Sequence, residues 1–302
     1  MNILIASPIY SGAIEKLREN HDVICAFDGS QEELCSTIAD REVLVFRSGI
    51  QVTADVLSCA PNLRLIVRAG SGIDNIDVAQ VEKQQIKLIR VAEPGAKAVA
   101  EMSFALMLAL SRNLMEADRL LRQGHWAKHE LTGHLLNGKV LGILGLGSIG
   151  TLTGERGVAW GMDVLGCVGN PTQEKADGLA AKGIRLCEMS EVLRMSDYLS
   201  ISVPLNSNTR NLIDSEAIAV MKPGVCLVNL ARGGVVDEVA LYQALISGHI
   251  SGAGMDVHAD EGEGKISPLA ELPNTILTPH IGASTIDSQR EIGKIVIDAI
   301  ES

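Results

Sequence analysis

The sequence predicts an α/β chain made of two doubly wound parallel-sheet domains. At 302 residues it is long enough for two domains. Short β-rich apolar runs alternate with amphipathic segments, the pattern of βαβ units around a parallel sheet buried on both faces. Part-way along, this rhythm is interrupted by a long apolar helical stretch and then restarts with a glycine-rich turn.

In the first half, NILIA, DVICAF, VLVFRS, LRLIVRA and IKLIRV read as strands. Amphipathic stretches such as 9–20 and 31–39 read as the helices between them. Residues 98–122 carry no helix breaker and read as one long helix, apolar almost all round in its first half. A helix of that kind is buried. Both a subunit interface and a central core position satisfy the pattern, and the interface is favoured. The alternation then resumes with VLGILG, DVLGCV, YLSISV, VCLVNL, GAGMDV and TILT. Residues 283–302 read as one amphipathic helix that crosses back to pack on the first domain.

The composition narrows the function classes. Aromatic residues are only 3%, so the core must be aliphatic. A net charge of −11 argues against nucleic-acid and anionic-membrane partners, which select clustered Lys and Arg. It leaves room for a local basic pocket and a small anionic substrate. The six cysteines form no C-x-x-C pair, which disfavours both a metal site and a disulfide scaffold and points to a reducing cytoplasm. The start MNILIASPIY lacks the basic and long apolar regions of a secretion signal. No run of 18 apolar residues is present to span a membrane.

The stretch KVLGILGLGSIG ends a strand with Gly145-x-Gly147-x-x-Gly150 and opens a helix. Glycine inside regular structure costs about 0.5–1 kcal/mol relative to alanine, so three in a row of turns imply a use for bare backbone. Strand, G-x-G-x-x-G, helix is the dinucleotide fingerprint: a tight turn, close approach of backbone to a pyrophosphate, and close helix–strand packing. Amides near Ser148 and Ile149 would face the phosphates at the positive end of the helix. An acidic residue that would hold the adenosine ribose is missing. The next strand ends at Val168-Gly169-Asn170-Pro171 with no carboxylate and no arginine. Asn170 and Thr172 suit a ribose hydroxyl or a 2′-phosphate, so both NAD and NADP fit.

Three further stretches follow successive strands: VNLARGGVVDE with Arg232, GAGMDVHADEGEG with Glu261 and LTPHIGAST with His280. Strand C-termini are where open α/β sheets bind ligands. Arg232 can clamp a carboxylate bidentately and polarise a neighbouring carbonyl. His280 can exchange a proton near neutral pH, and Glu261 can orient its ring. With a nicotinamide supplying hydride, this set interconverts a 2-oxo acid and a 2-hydroxy acid. Singly, each residue has an ordinary structural use: a turn cap, part of a solvated acidic loop, a satisfied histidine. Their joint placement downstream of the glycine turn favours the chemistry.

The chain resembles the D-isomer-specific 2-hydroxyacid dehydrogenases, close to the phosphoglycerate dehydrogenase branch. RAGSGIDNID, GLGSIG, PLNSNTRNLI, MKPGVCLVNLARGGVVDE and LTPHIGAS carry the resemblance, which extends over nearly the whole length. It implies a flavodoxin-like substrate domain at 1–97 plus 281–302, a Rossmann cofactor domain at 98–280 and a cleft between them. The family's catalytic set falls on Arg232, Glu261 and His280. Its carboxylate-binding loop falls on Ser71 and Gly72, and Arg47 and Ser48 match a substrate-side position of the phosphoglycerate type. Cofactor contacts fall on Ser148, Ile149, Val203, Pro204, Thr209, Leu230, Asp256, His280 and Gly282. The resemblance also implies a homodimer through the cofactor domain, in line with the apolar 98–122 stretch. Three positions depart from the pattern: Gly262 where proline usually follows the catalytic glutamate, Ser202 for a frequent histidine, and Val168 for the ribose acid. The end of the chain soon after the return helix reads as the lack of a regulatory C-terminal domain.

The leading expectation is an oxidoreductase acting on a small anionic 2-hydroxy or 2-oxo acid of the D-3-phosphoglycerate, hydroxypyruvate or glyoxylate type. The alternative is a non-catalytic, cofactor-sensing interaction protein on the same fold, against which the intact Arg–Glu–His set speaks. Formate oxidation is disfavoured by Glu261, and phosphite oxidation stays open.

Overall fold

The structure is a computed structural model that describes residues 1–302 apart from Asp28 and Ser48. The chain forms two compact units, Met1–Ala98 with Ala283–Ser302, and Val99–Gly282.

The first unit holds a parallel sheet of β1 (Asn2–Ile5), β2 (Asp22–Cys25), β3 (Val43–Phe46), β4 (Leu65–Arg68) and β5 (Lys87–Arg90). The strand order is β2-β1-β3-β4-β5, the flavodoxin-like arrangement. Alternate residues feed two separate cores. Leu4, Leu44, Phe46 and Ile66 pack with Ile38 and Leu57 on one side. Ile3, Ile5, Val43, Val45 and Val67 pack with Leu17 on the other. This is why the strands read as unbroken apolar runs. The C-terminal helix α12 (Ile286–Glu301) completes the second of these cores through Ile292, Val296 and Ile300. It lies close on α1 (Ser11–Arg18), where a β-carbon on Gly293 would come within 3.0 Å of the Ala13 side chain. The Ser288 hydroxyl ties its first turn to the Pro94 carbonyl at 2.9 Å.

The second unit holds seven parallel strands: β6 (Val140–Leu144), β7 (Asp163–Cys167), β8 (Ile184–Leu186), β9 (Tyr198–Ile201), β10 (Val225–Asn229), β11 (Ile250–Met255) and β12 (Thr275–Leu277). Their order is β8-β7-β6-β9-β10-β11-β12, so the winding reverses between β6 and β9. That reversal opens the crevice in which doubly wound sheets take ligands. β8 does not stand out in the sequence. It is three residues long, sits at an edge and carries Arg185 in its middle.

The stretch expected as one helix over 98–122 is two. Helix α5 (Glu93–Ser111) starts earlier, and α6 (Leu114–Arg122) leaves it at 60°. The break comes from tertiary contacts. The His134 amide takes the Ser111 carbonyl at 2.8 Å, with Gly133 pressed so close that a β-carbon there would lie 2.3 Å from that oxygen. Asn113 absorbs the turn at φ +50°, a conformation asparagine tolerates better than most residues. Ala100, Phe104, Leu106 and Met107 of α5 are buried. Gly254 lets α5 lie against β11, since a β-carbon there would sit 3.0 Å from the Leu106 side chain. α5 is therefore a core helix of its unit, whereas α6 has no buried residue. No single helix among the described residues is long and apolar enough to cross a membrane.

Candidate functional site

The glycine turn leaves β6 at the reversal point. Gly145 has φ +92°, and a β-carbon there would also come within 2.6 Å of the Ser202 carbonyl, at the end of β9. Gly150 packs so tightly on the turn that a β-carbon would lie 2.0 Å from the Gly145 carbonyl. Gly147 differs from both. It precedes α7 (Ser148–Ala159), and nothing lies within 4 Å of where its β-carbon would be. The two outer glycines serve the fold, and the middle one leaves open space beside the amides of Ser148 and Ile149. A pyrophosphate fits such a cradle.

The other sequence-predicted cofactor contacts lie at neighbouring strand ends. Val168, Gly169 and Asn170 follow β7, with Gly169 and Asn170 exposed. Val203 and Pro204 follow β9, and the Thr209 hydroxyl donates to the Pro204 carbonyl at 2.6 Å, closing that loop. Leu230 follows β10 and is buried.

Arg232 sits in the turn after β10. The fully buried Asn229 shapes that turn: its side-chain amide donates to the Arg232 carbonyl at 3.1 Å and its oxygen accepts from the Ala231 amide at 3.0 Å. One guanidinium nitrogen of Arg232 donates to the Ala231 carbonyl at 2.8 Å. Gly233 presses the turn onto the next one, since a β-carbon there would sit 1.7 Å from the His258 carbonyl. The Arg232 turn and the loop carrying Glu261 are therefore packed together.

Glu261 and His280 meet. His280 Nδ1 lies 3.0 Å from Glu261 Oε2, and Oε1 accepts from the His258 amide at 3.1 Å. Burial pushes the Glu261 carboxyl upward, but the hydrogen bonds from His280 and His258, with the field of both rings, outweigh it and hold the group below the ordinary carboxylate value. Gly262 has φ +134°, which no proline can adopt, so this loop takes a path closed to a proline at that position.

His280 itself has φ +55° and needs outside support. Asp256, 1% exposed, supplies it. Its carboxylate accepts from the Thr278 hydroxyl at 2.6 Å, the Ile281 amide at 2.9 Å and the Gly282 amide at 2.7 Å, while its carbonyl accepts the His280 amide at 2.8 Å. The loop is anchored on both sides of the imidazole.

Sequence reasoning missed three residues here. Asn229 ends an otherwise apolar strand and is fully buried, a signal in hindsight. Glu238, buried at the start of α11 (Glu238–Ile246), accepts from the Ala259 amide at 2.7 Å. The His258 ring bonds the Thr278 carbonyl through Nε2 at 3.1 Å. The last two leave no mark in a pattern of apolar spacing. A cavity of about 360 Å³ lies at the opposite, N-terminal edge of the sheet, beside Ser111, Tyr198 and Asn274, and holds none of the residues above.

In the first unit, Arg47 follows β3 and is half-buried, with its pKa lowered by burial. Ser71 and Gly72 lie in the turn after β4. Ser48 lies outside the described residues.

Residues 104–282 match the model of the D-isomer specific 2-hydroxyacid dehydrogenase NAD binding domain. The chain belongs to the D-isomer specific 2-hydroxyacid dehydrogenase family. It is 40% identical over its full length to a D-3-phosphoglycerate dehydrogenase of Methanocaldococcus jannaschii, of which it spans 57%. It is 39% identical to a hydroxypyruvate reductase of Thermotoga maritima, over 89% of this chain and 87% of that one. Among solved structures, a D-lactate dehydrogenase from Aquifex aeolicus complexed with NAD and lactic acid superposes with a TM-score of 0.87 at 29% identity, over 99% of this chain and 94% of that one. The chain thus spans little more than half of the phosphoglycerate dehydrogenase and most of the two shorter relatives.

Proposed function

We propose that the chain transfers hydride between a nicotinamide dinucleotide and a small anionic 2-hydroxy or 2-oxo acid. The observation that carries this reading is the Glu261–His280 pair at 3.0 Å, packed beside the Arg232 turn. The open space at Gly147 and the amides of Ser148 and Ile149 fit the dinucleotide's phosphates, and Val203, Pro204, Thr209, Leu230, Asp256 and Gly282 belong to the same strand-end rim. When bound, the dinucleotide supplies hydride chemistry.

The protein's own groups do the rest. Arg232 grips the carboxylate and draws charge from the adjacent carbonyl. With Nδ1–H donated to Glu261, His280 has Nε2 left for substrate. Protonated, it delivers a proton to the carbonyl oxygen as C2 receives hydride, giving the 2-hydroxy acid; neutral, it removes the hydroxyl proton in the reverse reaction. The turn carrying Ser71 and Gly72 offers backbone amides to the carboxylate. Arg47, a half-buried cation with no ion pair among the described residues, favours a substrate with a second negative group.

Purified protein given NADH or NADPH with glyoxylate, hydroxypyruvate and phosphohydroxypyruvate tests the reading. Oxidation of cofactor dependent on one of these acids is the expected result. No turnover, with assembly that responds to cofactor, favours the sensing alternative. We also propose a homodimer, supported by the exposed Leu114, Met115, Leu121 and Trp126 of α6 and the segment after it, which light scattering would detect. Six free cysteines suit a reducing cytoplasm.

A further inference from the structure

The turn after β4 is held from behind by two arginines. Arg68 ends β4 and Arg90 ends β5, and the two are register partners on adjacent parallel strands. Like charges directly opposite one another in a sheet are unfavourable unless something else occupies them. Both reach for the same turn. Arg68 Nε donates to the Gly72 carbonyl at 2.9 Å, and Arg90 Nη2 donates to the Ser71 carbonyl at 2.6 Å. Arg68 is 5% exposed and lies over the Phe46 ring, 5.5 Å from its centroid. Gly70 makes room for it, since a β-carbon there would fall 2.4 Å from Arg68 Nη1.

This fixes the direction of the amides. In a planar trans peptide the N–H points opposite to the carbonyl that precedes it. With the Ser71 and Gly72 carbonyls turned to the guanidiniums, the amides of Gly72 and Ile73 point the other way. No intramolecular acceptor engages either amide among the described residues. A cationic donor on each carbonyl also polarises its peptide, making the opposite N–H a stronger donor.

We propose that Arg68 and Arg90 are positioning residues that aim and polarise the Gly72 and Ile73 amides at the substrate carboxylate. The inference rests on the 2-oxo acid reductase reading above and adds the device behind the loop. Neither arginine touches substrate in this scheme, so their loss weakens acid capture and leaves hydride transfer and cofactor binding intact.

The test is steady-state kinetics with glyoxylate on the unaltered chain and on Arg90→Met, Arg90→Lys and Arg68→Met, with cofactor affinity read from NADH fluorescence. Thermal unfolding checks that each variant is folded. Arg90 is exposed, so its variants keep the test open even if Arg68→Met fails to fold. The expected result is a KM for glyoxylate raised about tenfold or more in Arg90→Met, the scale of one charge-assisted hydrogen bond. In that variant kcat and NADH affinity stay near the starting values, and Arg90→Lys recovers part of the loss. A KM for Arg90→Met equal to that of the active unaltered chain overturns the positioning role alone. A fall confined to kcat also overturns it. An unaltered chain that reduces none of the acids removes the reductase reading and this inference with it.

Discussion

Asp256 and Gly282 are fitted to one another: Asp256 Oδ2 accepts the Gly282 amide at 2.7 Å, and a β-carbon on Gly282 would stand 2.8 Å from that same oxygen. The carboxylate thus demands both an amide and a missing side chain at position 282. Asp256→Asn replaces an acceptor by a donor that faces an N–H or a hydroxyl. Each charge-assisted bond lost in a buried place is worth about 1.5–3 kcal/mol. The expected outcome is a lower urea midpoint and, because His280 is held at positive φ by this anchor, a lower kcat. Unchanged values for both would show that the loop holds itself.

Removing the imidazole tests the chemistry directly. His280→Ala should lower turnover by about 10²–10⁴-fold, the range for a placed acid–base group. Arg232→Lys should raise KM and lower kcat together, since an ammonium cannot make the paired contact with a carboxylate. Stopped-flow kinetics with saturating cofactor separate the two effects.

Glu261 gives a prediction with a sign. Its pKa lies below the ordinary carboxylate value of about 4.3. A depressed folded-state value contributes stability that is present above the unfolded pKa and is lost as pH falls through the folded one. The stability difference between the unaltered chain and Glu261→Gln should therefore be present at pH values above about 4.3 and shrink as pH falls below it. The side chain is 40% exposed, so the difference should stay under about 1 kcal/mol. Urea unfolding of both proteins at neutral and acid pH measures it. A difference that grows as pH falls below about 4.3 contradicts the assignment.

What the sequence made legible and what it hid divide along physical lines. Strands of the first sheet are visible because both faces are buried, so Val43–Phe46 can be nothing but apolar. The three candidate site residues stand out because each lies in a loop that follows a strand. The helix break at 112–113 is not visible: it depends on Gly133 and His134, some twenty positions away, capturing one carbonyl. β8 is hidden for the opposite reason, being an edge too short and too charged to show a period. Supports such as Asp256, Asn229 and Glu238 act through backbone atoms, and backbone demand leaves little trace in side-chain spacing.

Cofactor choice can be read at the end of β7. Val168 stands where an acid would hold a ribose hydroxyl, and Arg185 on the adjacent β8 is already paired with Glu191. Nothing at 168–172 repels a 2′-phosphate, and Asn170 and the Thr172 hydroxyl are neutral. The chain should accordingly accept both NADH and NADPH. Val168→Asp should then raise KM for NADPH by at least about tenfold, because an unpaired like charge costs several kcal/mol, while KM for NADH stays level or falls. The ratio of kcat/KM values for the two cofactors, in the unaltered chain and the variant, measures this. A ratio that does not move would place the adenosine end of the dinucleotide away from Val168.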